Sequence, residues 1–288
     1  MPQGFPGHTP PAAPELLEQA PGLLAGERLA VLTGAGLGTD SGIPDYRGPT
    51  SVPRQPMTYQ QFVSDPVLRR RYWARNHVGW RHMHRAEPNA GHFAIARMEK
   101  AGLLTGLITQ NVDRLHSEAG SRQVIDLHGR FDEVICLGCR RVIGRAALAE
   151  RLEALNPGFG EGPGDAGDVA PDADADVGGT DSFVVAACQA CGGILKPHFV
   201  YFGENVPKER VEAAYAMVDR AGALLVAGTS LTVMSGLRFV RHAAKHGIPV
   251  VIINRGSTRG DELAAVKIDA GVSESLTFLS ARLAAGSG

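Results

Sequence analysis

Short, unbroken apolar runs alternate with helix-period segments along most of this 288-residue chain, and that alternation constrains the fold more than any other feature. The runs are residues 29–33, 107–109, 124–127, 224–227 and 250–253, each ending in Gly, Asn or a small polar residue. Between them Ala90, Phe93, Ala94, Met98 and Ala101 recur at helical spacing, framed by Pro88 and Gly102. Val211, Ala214, Tyr215 and Val218 repeat the pattern after Pro207, as do Leu237, Val240 and Ala244 before Gly247. A strand apolar on both sides must be covered on both faces, and helices between such strands supply the cover. The expected fold is α/β, a doubly wound parallel-sheet (Rossmann-like) domain carrying a smaller inserted lobe.

At about 150 residues per domain the length suits two units, or one with an insert. Residues 1–26, rich in Pro, Gly and Ala, read as a mostly disordered tail with room for one short helix. Residues 27–288 read as the folded domain, with a large part (27–55, 88–134, 196–288) and a small lobe. The lobe comprises an aromatic, Arg-rich helical stretch at 56–87 and the cysteine-bearing 135–195. Inside the latter, 156–181 holds seven acidic residues and no Lys or Arg, the signature of a disordered loop. Lengthening a closed loop from 22 to 48 residues costs only about 0.7 kcal/mol. Deleting 156–181 should therefore leave metal content and melting temperature nearly unchanged.

Lys and Arg number 29 against 30 Asp and Glu, a net charge of −1, which excludes polyanion attraction as the main binding mode, so nucleic acid is not the expected partner. No apolar run reaches the roughly 18 residues of a membrane span, so no membrane association is expected. The first basic residue is Arg28, which argues against a secretory or transit leader and for a cytoplasmic protein.

All four cysteines fall in two Cys-x-x-Cys pairs, Cys136/Cys139 and Cys188/Cys191. Each short loop turns two thiolates toward one ion, and two loops close a tetrahedral Zn²⁺ site with no open position. Redox dithiols or buried free thiols are the other reading, but neither pair opens a helix after a strand, as a redox motif does. A closed four-thiolate site cannot activate water, so the zinc is read as structural.

The first strand runs into Thr33-Gly34-Ala35-Gly36-Leu37-Gly38, where glycines can let backbone amides approach a pyrophosphate. A plain structural turn is the competing reading. The spacing departs from the dehydrogenase fingerprint, and no Asp or Glu lies between Arg47 and Asp65, where a ribose-binding acid belongs. A dinucleotide fits; hydride transfer does not.

The stretch from Gly34-Ala35-Gly36 through Ser41-Gly42-Ile43-Pro44-Asp45-Tyr46-Arg47-Gly48 resembles the NAD-binding signature of the sirtuins, NAD-dependent protein-lysine deacylases. So do Thr109-Gln110-Asn111-Val112-Asp113-Arg114-Leu115-His116, His128-Gly129, both cysteine pairs, Lys196-Pro197 with Phe202-Gly203-Glu204, Gly228-Thr229-Ser230-Leu231 and Asn254-Arg255-Gly256. They occur in the family's order and span nearly everything from 28 to 280. Tyr46, the 69–85 segment and Cys191-Gly192-Gly193 look most similar to the class II branch.

The resemblance implies roles. Ala35 and Gly36 amides and the Arg47 cation would meet the phosphates, with Asp45 and Tyr46 on a loop closing over NAD. Gln110 and Asn111 would hold the nicotinamide ribose and Asp113 the carboxamide. Gly228, Thr229 and Ser230 would hold phosphate and ribose, Asn254, Arg255 and Gly256 the adenosine ribose, and Val272 the adenine. His128 matches the general base, and an ordinary imidazole pKa near 6.5 suits that role. The implied reaction transfers the acyl group of acyl-lysine to ADP-ribose. The acyl oxygen attacks the nicotinamide ribose and expels nicotinamide, His128 deprotonates a ribose hydroxyl, and water releases lysine and 2′-O-acyl-ADP-ribose. The acyl-lysine peptide would pair as an added strand near Phe202–Glu204.

Two other classes remain open at this level: a protein mono-ADP-ribosyltransferase using the same NAD site, and a zinc-ribbon binding module without catalysis. His77, His82 and His84, set among six arginines, read as a solvated helix face. Gly38 stands where the family usually has Ser, which removes one hydroxyl beside the cofactor.

Overall fold

The computed structural model describes residues 14–46, 56–161, 171, 174–175 and 177–285. The first elements are α1 (Pro14–Leu24), β1 (Leu29–Thr33), α2 (Tyr59–Ser64), α3 (Pro66–Met83), α4 (Ala90–Lys100), β2 (Leu104–Thr109), α5 (Leu115–Glu118) and β3 (Val124–Asp126). Next come β4 (Gly129–Cys136), β5 (Val142–Gly144), α6 (Arg145–Leu155) and β6 (Leu195–Phe199). The last are α7 (Lys208–Asp219), β7 (Ala223–Ala227), α8 (Met234–Lys245), β8 (Val250–Ile253), β9 (Val266–Ile268) and α9 (Val272–Ala285).

Six parallel strands form one sheet in the order β3-β2-β1-β7-β8-β9. Strand order reverses between β1 and β7, and a crevice opens beyond their carboxyl ends, where doubly wound folds bind ligands. Side chains alternate across the sheet. Leu29, Val31, Leu225 and Val251 face α1, α4 and α9, while Ala30, Leu32, Leu224 and Ile252 face α7 and α8. All five residues of β1 and of β7 are buried, as unbroken apolar runs require. β2 begins three residues before its apolar run. Thr105, which stands before that run, is buried, but its hydroxyl donates to Leu29 O (3.2 Å) and Met217 O (3.1 Å), which makes burial tolerable.

The short helix for which the tail had room is present, and what is corrected is that it packs firmly on the main core rather than belonging to a disordered tail. Residues 14–24 form α1, and Ala20 and Leu24 enter the main core. Arg282 of α9 pairs with Glu18 at 3.2 Å. The sequence hid this because Pro21 lies inside the helix. Residues 1–13 lie outside the described residues.

A three-stranded antiparallel sheet, β5-β4-β6, organises the small lobe. This moves the lobe boundaries: 129–134 and 196–199, assigned above to the large part, are lobe strands, and Phe131, Val134 and Phe199 enter its core. The helical reading of 56–87 holds as α2 and α3. Thr58 and Gln61 form a capping box on α2, and Asp65 caps α3 by accepting from Val67 N–H and Leu68 N–H, with Pro66 at the first turn. The solvated-face reading of the histidines fails for His77. It is 2 % exposed and touches Glu153 at 3.2 Å, whereas His82 and His84 face solvent. Arg145 is also buried, its guanidinium between Trp73 and Trp80 (5.6 and 4.9 Å to the ring centroids) and bonded to Asn76.

Parts of the acidic tract are folded, contrary to the disordered-loop expectation. Buried Asn156 accepts from Val184 N–H at 2.6 Å and donates back to Val184 O at 3.0 Å. Phe159 packs edge-on against Phe183, Arg75 holds Asp174 at 2.7 Å and donates to Ala175 O at 2.8 Å, and Ala175 is fully buried. Composition concealed this because the partners lie on α3 and beyond residue 181. Residues 162–170, 172, 173 and 176 lie outside the described residues. Deleting 156–181 is therefore expected to lower the melting temperature by on the order of 5 °C, since it removes a buried polar bracket and an aromatic contact. An unchanged thermal melt of the deletion variant would refute these contacts.

Candidate active site and metal centre

A cleft of about 810 Å³ opens at the carboxyl ends of β1 and β7. It is lined by Gly34, Ala35, Gly36, Asp45, Tyr46, Gln110, Asn111, Asp113, His128, Gly228, Thr229, Ser230, Asn254, Arg255, Gly256 and Val272. Every cofactor-site and catalytic residue expected from the sequence thus meets at one place, except Arg47, which lies outside the described residues.

Close approach of two turns explains the glycines. A Cβ on Gly34 would sit 2.6 Å from Thr229 Cβ, and one on Gly36 would sit 3.0 Å from Gly228 O. Gly228 has φ +67°, and its Cβ would lie 2.6 Å from Leu37 N. The contact has a consequence for the expected phosphate donors. Gly36 N–H already donates to Gly228 O at 2.8 Å, so that amide serves the protein. Asn111 donates to Gly34 O (3.1 Å) and Thr229 to Gln110 Oε1 (2.8 Å), tying the β1, β2 and β7 turns together.

His128 follows β3 and reaches the cleft. Its Nδ1 lies 2.9 Å from Gln110 O, and its Nε2 lies 2.9 Å from Ser235 Oγ. A carbonyl only accepts, so Nδ1 carries the proton of the neutral ring and Nε2 keeps the lone pair. Burial pushes the pKa down to about 4, with Arg210 and Arg238 acting in the same direction and the Gln110 bond opposing. The ring is a neutral base at pH 7. Ser235 was missed in the sequence, where it stands 107 positions from His128 and belongs to none of the quoted motifs. Asp113 is 5 % exposed; burial pushes its carboxyl up to about 6, while Leu115 N–H donates to it at 3.0 Å.

The four cysteine sulfurs lie within 4.8 Å of one another at the tip of the small lobe. Cys136 and Cys191 Sγ are 3.5 Å apart, and Cys139 and Cys188 Sγ 3.8 Å. A disulfide needs about 2.05 Å, while ligands at about 2.3 Å on a tetrahedral zinc stand about 3.8 Å apart. The thiols are free, and the set fits zinc. Cys139 N–H donates to Cys136 Sγ and pushes that thiol down, toward the thiolate a metal requires, while the neighbouring sulfurs push Cys191 up.

Residues 34–235 match the Sir2 family. The chain is 62% identical over 273 residues to the NAD-dependent protein deacetylase 1 of Mycobacterium avium (strain 104), covering 94% of this chain and 95% of that protein. The chain belongs to the Sir2 family. A second relative, the NAD-dependent protein deacetylase 1 of Streptomyces coelicolor, is 53% identical over 280 residues and covers 95% and 92%. A Sir2 structure with a p53 peptide and NAD⁺ superposes with a TM-score of 0.74 at 31% identity, covering 94% of this chain and 98% of that one. A Sir2 structure bound to a propionylated peptide gives 0.71 at 29% identity, with the same coverage.

Two details distinguish this Sir2-family cleft from what its sequence led us to expect. The segment from Phe202 to Glu204 is not a strand: Phe202 makes one isolated parallel bridge to Thr58, and Gly203, at φ +79°, turns the chain. Behind it, buried Lys196 pairs with Glu204 at 3.0 Å, and Glu204 accepts from Tyr201 N–H at 2.9 Å, which fixes the turn. At Gly38 an added Cβ would make ordinary contacts, 3.5 Å to Ile43 Cβ and 3.8 Å to Asp113 Oδ2, so the absent serine is not excluded by space.

The Sir2-family core also carries a pH signature. Burial pushes His77, His92 and His128 down to about 4, and His116 well below the ordinary range. Free imidazoles titrate near 6.5. The unfolded chain therefore binds more protons as the pH falls, so the neutral rings contribute stability above about pH 6.5 that is lost toward pH 4. Asp113, Asp126 and Glu118, raised by burial, pull the other way. With four histidines against them, the melting temperature is expected to drop between pH 7 and pH 5. A melting temperature flat across that window would rule the linkage out.

Proposed function

We propose that this chain is an NAD-dependent protein-lysine deacylase in which His128 is the general base. NAD is the co-substrate and accepts the acyl group. The acyl-lysine side chain of a protein or peptide is the donor, and nicotinamide, deacylated lysine and 2′-O-acyl-ADP-ribose are the products. One observation carries the assignment of the base: His128 lines the cleft with its tautomer set by Gln110 O, which leaves Nε2 as the basic nitrogen, bonded to the cleft-lining Ser235. The names of the two bacterial relatives support the activity.

The glycine cradle at Gly34, Gly36 and Gly228 fits a pyrophosphate brought against backbone. With the Gly36 amide spent on Gly228, the phosphate contact from this turn passes to the Ala35 amide, with Thr229 and Ser230 opposite. Asn254, Arg255, Gly256 and Val272 hold the adenosine end, Gln110 and Asn111 the nicotinamide ribose, and Asp113 the carboxamide. Asp45 and Tyr46 belong to the loop that closes over NAD, and the Arg47 cation serves the phosphates. The peptide runs past Phe202, whose ring meets Tyr46 edge-on at 6.0 Å, and pairs through backbone groups at the 202–204 turn. Zinc, held by Cys136, Cys139, Cys188 and Cys191, is structural and tethers the small lobe. We divide the chain into a sheet domain and a small lobe built on 56–87 and 135–195, with the cleft between them. No helix among the described residues is long and apolar enough to cross a membrane. Free thiols held for zinc suit a reducing compartment, and we assign the protein to the cytoplasm.

The test is an assay of nicotinamide release with a panel of acyl-lysine peptides, followed by product identification. 2′-O-acyl-ADP-ribose supports the reading. ADP-ribosylated protein without acyl-ADP-ribose would replace it with mono-ADP-ribosyl transfer.

A further inference from the structure

We propose that Ser235 relays a proton from the reacting ribose hydroxyl to His128, an inference that rests on the reading of His128 as general base. Nε2 has a single in-plane lone pair, and the Ser235 hydroxyl, 2.9 Å away, occupies it. A substrate hydroxyl cannot bond that lone pair directly unless serine leaves. Three contacts keep serine and ring where they are. Gln110 O holds Nδ1 on the opposite edge of the ring. The Gln110 side chain lies over Gly236, next in sequence to Ser235, where an added Cβ would come within 2.8–2.9 Å of its amide atoms. Thr229 in turn fixes that amide by donating to Oε1. One residue, Gln110, therefore locks the imidazole through its backbone and packs on the start of α8 through its side chain.

Ser235 lines the same cleft as His128, so its oxygen can accept from a hydroxyl there while donating to Nε2. The step then balances without another reactant. The ribose hydroxyl gives its proton to Ser235 Oγ as Ser235 gives its own to Nε2. The ribose oxygen keeps the electron pair for its bond to the acyl carbon, serine ends neutral, and His128 ends as imidazolium.

The experiment compares Ser235→Ala, Ser235→Thr and His128→Ala in the full-length zinc-loaded protein with NAD and one acyl-lysine peptide. Melting temperature and zinc content serve as folding controls. Labelled-nicotinamide exchange reports the step before the base acts, and acyl-ADP-ribose formation reports the step that uses it. Ser235→Ala is expected to retain exchange and the KM for NAD while kcat for acyl-ADP-ribose falls on the order of 10- to 100-fold. Ser235→Thr, which keeps the hydroxyl, should recover most of that loss. A proton inventory in mixed H₂O and D₂O should be curved for the wild type, with two protons in flight, and linear for Ser235→Ala. Wild-type product formation by Ser235→Ala, or a parallel loss of exchange and product, would overturn the relay. His128→Ala separates the two readings. Unimpaired product formation there overturns the base itself, whereas its loss beside an unimpaired Ser235→Ala overturns the relay alone.

Discussion

His128→Ala is expected to lower acyl-ADP-ribose formation by about 10²–10⁴-fold, the usual contribution of a positioned base, while NAD still binds. The asymmetry follows from the geometry. The phosphate cradle is built from backbone at Gly34, Gly36 and Gly228, which pack on one another and not on the imidazole. Removing the ring deletes the proton acceptor and leaves the turns tied by Asn111 and Thr229. Burial holds the ring neutral, so the wild type has its base available at pH 7. Calorimetric NAD titration beside a product assay checks both halves. Loss of NAD binding in parallel with turnover would show that the ring supports the cradle, and turnover at the wild-type rate would remove His128 from the chemistry.

Zinc removal is expected to have the second large effect. Metal analysis should give one zinc per chain, and Cys188→Ser or exhaustive chelation should lower the melting temperature by on the order of 10 °C or more. Structural zinc contributes about 10–16 kcal/mol in isolated finger peptides, which rivals the roughly 5–15 kcal/mol of a whole domain. Activity should fall with stability, because the metal lobe reaches the base. Cys136 ends β4, and the same strand begins at Gly129, pairing with Phe199 next to His128, whose carbonyl accepts from Val200 N–H at 2.6 Å. Loosening the β4–β6 ladder therefore frees the backbone that carries the imidazole. Fully active, stable protein without zinc would overturn the structural role.

Legibility followed the range of each interaction. The residues of β8 are the 250–253 run itself, and β1 likewise, because a strand buried on both faces must be apolar at every position. β9 was missed: Val266, Lys267 and Ile268 alternate at the sheet edge, too short a pattern to stand out. The buried state of His77 was misread because its neighbours on α3 are cationic, while its actual surroundings, Glu153 and Phe183, come from other elements. Arg145 was likewise invisible until Trp73, Asn76 and Trp80 were seen around it.

By itself the sequence determined the parallel sheet, the cysteine set and the glycine turns, since each is written in local pattern or spacing. Tertiary structure decided which groups those patterns leave free. It spent the Gly36 amide on Gly228, folded Asp174 and Ala175 against α3, and brought Ser235 to the lone pair of His128. The reason is physical. Burial and periodicity act residue by residue along the chain, whereas a hydrogen bond between residues 107 positions apart exists only once the sheet has carried both to the same end.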